Sequence, residues 1–92
     1  MRKFEWDNDK YQINIEKHKL SFEMAKLLFE NPLSVTQDTR FNLYDGEDRY
    51  IGLGELDGRL MVVVFTIRKP GRIRIISFRK ANKREQKEYY KN

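Results

Sequence analysis

The chain has 92 residues, which is enough for one small core, and we treat residues 1–92 as a single domain. It contains no cysteine, which excludes disulfide bonds and thiolate metal sites and suits a reducing compartment. The sequence has no apolar signal segment and no run of about 18 apolar residues. We therefore expect a cytoplasmic protein that does not associate with membranes.

Charge is divided unevenly along the chain. Residues 1–66 carry 9 Lys and Arg against 12 Asp and Glu, whereas residues 67–92 carry 10 against 2. A basic C-terminal quarter is typical of a surface that binds a polyanion, because each phosphate contact releases counterions. A solvated lysine-rich tail has the same composition. Charge alone therefore leaves a nucleic acid, an acidic protein and a tail without a partner open.

The N-terminal third has the pattern of two helices. Asp7 is placed to cap a helix over residues 7–18, and Trp6 precedes it as a hydrophobic staple. Ser21 is placed to cap a second, amphipathic helix that stops at Asn31-Pro32. We expect the apolar stripe of this second helix to lie in the core. The stripe consists of Phe22, Ala25, Leu28 and Phe29.

The middle of the chain has the period of β-strands. Residues 33–38 alternate like a short edge strand, and residues 40–47 have the composition of a loop. Residues 48–56 and 59–67 predict a hairpin, because the intervening Asp57-Gly58 suits a type I′ turn. The second hairpin strand is apolar on both faces. We expect it to be central, with helices on one face and another layer or a partner on the other.

The C-terminal part continues the meander and ends in a helix. A turn at residues 69–71 leads to a third strand over residues 72–78, and a polar helix follows over residues 80–92. The order predicts an α+β domain with two N-terminal helices, an antiparallel β-meander of three to four strands and a C-terminal helix.

Arginine side chains recur along the third strand. Alternation divides this strand into two faces, one with Arg72, Arg74, Ile76 and Phe78 and the other with Ile73, Ile75, Ser77 and Arg79. Planar guanidinium groups on a rigid strand match phosphate with two hydrogen bonds, so Arg72 and Arg74 are candidate phosphate ligands. The alternative is that they pair across the sheet with carboxylates, for which the candidates are Glu47, Asp48 and Glu55.

The only histidine, His18, ends the first helix beside Lys17. Imidazole exchanges protons near neutral pH, so His18 is a candidate general acid or base. A helix C-terminus favours the protonated form, which would bind phosphate or protonate a leaving group. A purely structural histidine is the alternative. A single histidine without cysteine is too few for a metal site, and we expect none.

The last helix has an inward stripe at a spacing of four residues, formed by Ala81, Glu85 and Tyr89. Glu85 on this stripe needs a cation, and Arg79 or Lys80 is the nearest candidate. Tyr89 can pack, stack on a base or give its hydroxyl to a phosphate. Cations cover the rest of the helix surface, namely Lys80, Lys83, Arg84, Lys87 and Lys91.

Several motifs, in order along nearly the whole chain, resemble those of the BrnT family of type II toxins. Members of that family look like F-x-W-D-x-x-K, N-x-x-K-H-G, F-x-x-A, G-E-x-R, R-I-I-S-x-R-x-A and E-x-x-x-Y. The matching residues here are Phe4, Trp6, Asp7, Lys10, Asn14, Lys17, His18, Phe22, Ala25, Gly46, Glu47, Arg49, Arg74, Ile75, Ile76, Ser77, Arg79, Ala81, Glu85 and Tyr89. Two positions depart from the pattern: Lys19 stands where the family has Gly, and Asn31 where it has Asp before the proline.

The resemblance implies a RelE-like fold and an endoribonuclease that halts translation. It also implies neutralisation by a BrnA-like antitoxin with a ribbon-helix-helix DNA-binding domain, in a hetero-oligomer for which a heterotetramer is one option. DNA would then be bound only through the antitoxin. Cleavage of this type uses the RNA substrate's own 2′-hydroxyl as the nucleophile, so it needs neither a metal nor another cofactor.

The resemblance and the residue patterns together predict two sets of site residues. The predicted catalytic residues are Arg79, His18, Glu47, Arg49, Glu85 and Tyr89. The predicted RNA-binding residues are Lys17, Arg72, Arg74, Lys80, Lys83 and Arg84. The main alternative is a non-catalytic nucleic-acid-binding module or transcriptional regulator, in which the same arginines only hold phosphates. A third interpretation is a structural protein whose basic tail binds an acidic partner.

Overall fold

The computed structural model describes residues 3–39, 48–68 and 70–91. The elements within these ranges are, in chain order, strand β1 (Lys3–Trp6), helices α1 (Asn8–His18) and α2 (Phe22–Leu28), strands β2 (Ser34–Asp38), β3 (Arg49–Leu56), β4 (Arg59–Arg68) and β5 (Arg72–Lys80), and helix α3 (Lys83–Tyr89). None of these helices is long and apolar enough to cross a membrane. The predicted loop at residues 40–47 lies outside the described residues.

The described strands form one sheet in the order β1-β5-β4-β3-β2. Strands β2 to β5 are antiparallel neighbours, as the meander predicted, and β2 is an edge strand. The expectation of a wholly antiparallel sheet that starts after two helices is wrong, because β1 precedes α1 and runs parallel to β5. Four residues of alternation beside a helix start are too short to be recognised as a strand. The α+β class is confirmed, with a mixed sheet.

Helices α1 and α2 cover one face of the sheet, and the main core lies beneath them. The predicted stripe of α2 is buried there, with Phe22, Ala25 and Leu28 fully buried. The sheet contributes alternate residues of its central strands, namely Met61, Val63, Phe65, Ile73, Ile75 and Phe78. Burial of this size accounts for most of the favourable free energy of folding in a small domain.

Helix α3 covers one end of the opposite face. A small second cluster lies beneath it, made of Leu60, Val62 and Ala81 with Ile51, Leu53 and Tyr89 at its border. Strand β4 is therefore apolar on both faces because one face packs beneath α1 and α2 and the other packs, at one end of the sheet, beneath α3. The remaining part of this face carries polar and charged side chains. Its described members include Glu5, Arg49, Thr66, Arg72 and Arg74.

The element ends agree with the sequence patterns at some positions and not at others. The Ser21 hydroxyl accepts a hydrogen bond from the amide of Met24 at 3.4 Å, as predicted, whereas Asp7 makes no side-chain capping bond among the described residues. Asp57 and Gly58 have φ of 52° and 77°, which confirms the type I′ turn. Helix α3 begins later than predicted, because β5 continues to residue 80.

Candidate functional site

A β-bulge in β5 determines which of its side chains share a face. Val64 of β4 pairs with Ser77, but the next residue, Phe65, pairs with Ile75. Ile76 is therefore an extra residue in β5, and the alternation of side chains reverses across it. The prediction that Arg79 points to the face opposite Arg72 and Arg74 is wrong for this reason.

The three arginines of β5 instead share the face of the sheet that lies opposite α1 and α2. Arg74 is opposite Thr66 of β4, and Arg79 is opposite Val62. These two β4 positions are four residues apart, so they lie on the same face, and the separation along the strand is about 13 Å. Arg72 is two residues before Arg74 and shares its face. The bulge thus aligns the three guanidinium groups along one strand.

Arg79 forms a two-pronged ion pair with Glu85 of α3. Its Nη1 and Nη2 atoms each donate to one carboxylate oxygen at 2.7 Å, and Nη1 also donates to the carbonyl of Lys80 at 3.3 Å. The predicted cation for Glu85 is therefore confirmed as Arg79. A guanidinium group has five N–H groups, of which these bonds use three. Among the described residues, the Nε and one Nη2 N–H are left to bind an oxyanion with two parallel hydrogen bonds.

Glu85 is held from a second direction by the start of α3. The Asn82 side chain accepts from the Glu85 amide, and the Asn82 amide donates to Glu85 Oε1, each at 2.8 Å, which is a capping box. The hydrogen bond from Arg79 is the largest influence and, with the Asn82 amide, lowers the pKa of Glu85 in spite of its burial. An ionised carboxylate with both oxygens bonded is suited to position Arg79 rather than to transfer a proton.

His18 approaches the same end of β5 from α1. It lines a cleft of about 210 Å³ between α1 and β5, together with Lys17 and Ser77. Burial, followed by the positive charges of Lys17 and Arg79, lowers the pKa of His18 below its usual value. This direction is opposite to the one that the helix C-terminus alone predicted, because desolvation and two nearby cations disfavour a further positive charge. At pH 7 the imidazole is therefore mainly neutral, the form that accepts a proton.

Tyr89 lies one helical turn beyond Glu85, on the same side of α3. Both residues line a second cleft, of about 500 Å³, between α3 and strands β2 and β3. Arg84 lines this cleft as well, whereas Lys80 and Lys83 are exposed near the start of α3. The structure thus brings most of the predicted residues of the last quarter to one end of the sheet, around Arg79.

Arg49 lies apart from this group. It is opposite Thr66 of β4, whereas Arg79 is opposite Val62, so the two arginines differ by about 13 Å along the sheet and by two strands across it. Its other neighbour in the sheet is the buried Asp38 of β2. Glu47, the other catalytic candidate from this region, falls outside the described residues.

Arg72 and Arg74 contact the carboxylate of Glu5, which lies on β1, the strand that the sequence did not predict. Arg74 binds Glu5 at 3.0 Å, and Arg72 and Arg68 approach it at 3.5 and 3.9 Å. The hydrogen bond from Arg74 is the largest influence that lowers the pKa of Glu5. The carboxylates that the sequence pattern offered to these arginines all lay in the meander, whereas among the described residues their partner is Glu5 of β1.

Asn14 is a further residue of the candidate site that the sequence patterns did not single out. Asn14 is buried between α1 and β5, where its amide group hydrogen-bonds to the backbone of Phe78. Its only sequence signal was membership of the N-x-x-K-H motif, one helical turn before His18. Within residues 3–39, 48–68 and 70–91, no three His, Asp or Glu side chains are grouped closely enough to hold a metal ion.

Comparison with known proteins agrees with the resemblance. Residues 6–85 match a family model described as the ribonuclease toxin, BrnT, of a type II toxin-antitoxin system. The fold is similar to the crystal structure of the Brucella abortus ribonuclease toxin, BrnT, with 26% sequence identity and a TM-score of 0.65, over 90% of this chain and 100% of that one. No curated protein sequence matches the chain. The matched range includes Asn14, His18, Arg79 and Glu85, and the chain belongs to the BrnT family of ribonuclease toxins of type II toxin-antitoxin systems.

Proposed function

We propose that this chain is an endoribonuclease toxin that cleaves RNA without a metal ion, and that Arg79 is the centre of its active site. The observation that carries the proposal is the orientation of Arg79. Glu85 binds one edge of its guanidinium group at 2.7 Å and leaves donors of a second edge for a phosphate. The imidazole of His18 is mainly neutral and is close enough to Arg79 for the charge of the guanidinium group to contribute to lowering its pKa.

The proposed reaction is an internal transesterification of RNA. The imidazole of His18 removes the proton of a ribose 2′-hydroxyl, and the 2′-oxygen attacks the adjacent phosphorus. Arg79 stabilises the additional negative charge of the pentacoordinate phosphorus. The bond from phosphorus to the 5′-oxygen then breaks, and this oxygen takes a proton from Lys17, which lines the same cleft as His18. The products are a 2′,3′-cyclic phosphate and a 5′-hydroxyl.

Phosphates on one side of the scissile bond are proposed to follow β5. Arg72 and Arg74 share the face of Arg79, and the Arg72 side chain is 53% exposed. Cations at the start of α3 extend the basic surface in the other direction, and these are Lys80, Lys83 and Arg84. Cleavage of cellular RNA by such a surface would halt translation, as the family resemblance implies.

Membership of a type II toxin-antitoxin family implies an antitoxin partner. We propose, from the resemblance, that this partner is BrnA-like, with a ribbon-helix-helix domain through which the complex binds DNA. The antitoxin and the toxin would form a hetero-oligomer in the cytoplasm. The α+β fold with a helix over one end of the sheet is consistent with the RelE-like class that the resemblance implies.

The proposal is tested by cleavage in the presence of a chelator. Purified protein should degrade RNA equally well with and without EDTA, and the new 3′ ends should carry a cyclic phosphate. Expression without an antitoxin should arrest bacterial growth, and the variant Arg79→Ala should not. RNA that is bound but remains intact in these assays would indicate the non-catalytic alternative, and cleavage that is abolished by EDTA would contradict the proposed mechanism.

A further inference from the structure

The cleft between α3 and the edge of the sheet has the composition of a binding site for a planar ring. Its volume is about 500 Å³. The ring of Tyr89 forms part of its wall, and the apolar side chains of Ile51 and Leu53 contribute from β3. Ser34 and Thr36, on the exposed edge strand β2, add hydroxyl-bearing side chains to the lining. An aromatic ring, apolar strand residues and a few polar side chains are typical of sites for ring-shaped ligands.

The cleft adjoins the proposed phosphate site through a shared residue. Glu85 lines the cleft and binds Arg79 with both carboxylate oxygens. Tyr89 follows Glu85 by one helical turn, an axial distance of about 6 Å. A phosphate on Arg79 and a ring on Tyr89 can therefore belong to the same nucleotide or to neighbouring nucleotides.

The charge of the cleft favours the uncharged part of a nucleotide. Arg84 and Glu88 line it with opposite charges, and Glu85 is neutralised by Arg79. The cleft therefore has no surplus of positive charge that would attract a phosphate. Stacking of a base on an aromatic side chain needs no charge and contributes about 1 to 3 kcal/mol per base, which is about 5- to 150-fold in affinity.

We propose that this cleft binds a nucleobase next to the scissile phosphate, with the base stacked on Tyr89 and its edge directed to Ser34 and Thr36. The inference rests on the proposed function, because it takes Arg79 as the phosphate ligand. It extends that function by assigning base selection to the edge strand β2 and the end of α3, which are far apart in the sequence.

The test compares binding of two non-cleavable probes. The first is a 2′-O-methyl hexaadenylate, and the second is an oligomer with the same sugar-phosphate chain but without bases. The wild-type protein should bind the first probe about tenfold or more tightly than the second. Arg79→Ala should weaken binding of both probes by a similar factor, because both contain the phosphates. An unchanged affinity in Arg79→Ala would count against the proposed function and not against the base site.

Variants at two positions of α3 separate the base site from general effects on this helix. Tyr89→Leu should reduce the preference for the base-containing probe about tenfold, whereas Tyr89→Phe should retain it. The control is Lys87→Leu, at an exposed position of α3 that does not line the cleft, and it should leave the preference unchanged because any loss of phosphate attraction affects both probes alike. Thermal melting verifies folding, and Thr36→Val provides an independent readout should Tyr89→Leu fail to fold. Thr36→Val should alter the relative affinity for adenylate, uridylate and cytidylate hexamers without altering that for the abasic oligomer.

Three results would overturn the proposal. The first is a wild-type protein that binds both probes equally, and the second is a folded Tyr89→Leu variant with unchanged preference. The third is a Tyr89→Leu variant that loses affinity for the antitoxin only, which would assign the cleft to a protein. A Thr36→Val variant with unchanged relative affinities would remove β2 from the site.

Discussion

Asn14 forms a pair of hydrogen bonds with the backbone of Phe78, 64 residues later in the chain. Its Nδ2 donates to the Phe78 carbonyl at 2.8 Å, and its Oδ1 accepts from the Phe78 amide at 3.0 Å. Strand β1 pairs with β5 only as far as Ile75. The Asn14 side chain thus takes the place of a neighbouring strand where β1 has ended, and it fixes α1, with His18, beside Arg79.

The variant Asn14→Ala should lower the free energy of unfolding by about 3 to 5 kcal/mol, because it leaves buried backbone groups without partners. The affected groups include the carbonyl of Leu20, which accepts a third bond from Asn14 Nδ2 at 3.1 Å. Urea unfolding measures the loss. Gln12→Ala, at an exposed position of the same helix, is the control and should change stability by less than about 0.5 kcal/mol. Equal stability of the two variants would contradict this account of Asn14.

Lys19→Gly should stabilise the protein. Lys19 ends α1 with φ 59° and ψ 31°, a left-handed conformation that costs a residue other than glycine about 1 kcal/mol or more. The greater freedom of glycine in the unfolded chain offsets part of this gain, so we expect a net increase of about 0.5 kcal/mol. Thermal melting measures it. Asp57→Gly serves for comparison, since Asp tolerates the conformation better and should gain less. A lower melting temperature for Lys19→Gly would show that the Lys19 side chain contributes more than its backbone costs.

Local patterns predicted the parts of this fold that depend on local interactions. Helix periodicity predicted the end of α1 at His18, and turn chemistry predicted the turn at Asp57. Helix spacing predicted a cation for Glu85, with Arg79 and Lys80 as candidates, and the structure provides Arg79. The bulge at Ile76 gave no signal, because an extra β-branched residue in an apolar strand looks like its neighbours.

The other wrong predictions also concern contacts between residues that are far apart in the sequence. Strand β1 is short, and its pairing with β5 spans most of the chain, so the partnership of Glu5 with Arg74 was not predicted. Because the bulge at Ile76 was not predicted, strict alternation along β5 assigned Arg79 to the wrong face of the sheet. The family motifs supplied the candidate residues of the site, but the relative arrangement of these residues depends on long-range pairings.

The salt dependence of RNA binding should decrease when the arginines around Glu5 are removed. Arg72→Ala combined with Arg74→Ala should reduce the slope of log affinity against log salt by about 1.4, or about 0.7 for each lost phosphate contact. Glu5→Gln should instead increase the affinity for RNA, because it removes the carboxylate that the arginines share. Lys26→Gln is the control, since Lys26 lies on α2, which covers the other face of the sheet. An unchanged slope in the double variant would exclude Arg72 and Arg74 from the RNA surface.

The pH dependence of RNA cleavage should report His18. Because the pKa of His18 is lowered, kcat/KM should rise with pH to a plateau, with a midpoint below 6.5. His18→Asn should lower the plateau by about 10² to 10⁴-fold and abolish this acid limb. A lowered pKa in the folded protein also means that the contribution of His18 to stability is complete above the unfolded pKa of about 6.5 and decreases as the pH falls through the folded value. An acid limb that persists in a folded His18→Asn variant would assign it to another group.

The most specific prediction separates catalysis by Arg79 from its structural role. Arg79→Ala should reduce the cleavage rate by about 10² to 10³-fold, because a cation fixed by Glu85 meets the charge of the phosphorane only in the transition state. Glu85→Gln should cause a smaller loss, since it retains the charge of Arg79 but weakens its orientation. Arg79→Lys should resemble Arg79→Ala more than wild type, because an ammonium group cannot bind Glu85 and a phosphate with two pairs of parallel bonds.

The structural alternative makes a different prediction for stability. If the Arg79–Glu85 pair were fully buried, Arg79→Ala would leave an uncompensated carboxylate and cost about 3 to 5 kcal/mol. The Arg79 side chain is 32% exposed and that of Glu85 25%, and Glu85 keeps its bond from the Asn82 amide. Partial exposure reduces the expected cost to about 1 kcal/mol, or about 4 to 8 °C in Tm. We therefore expect Arg79→Ala to melt cooperatively, to bind the antitoxin and to lack toxicity. A variant that is unfolded at 25 °C, or one that is folded and fully toxic, would refute the assignment of Arg79 as the catalytic cation.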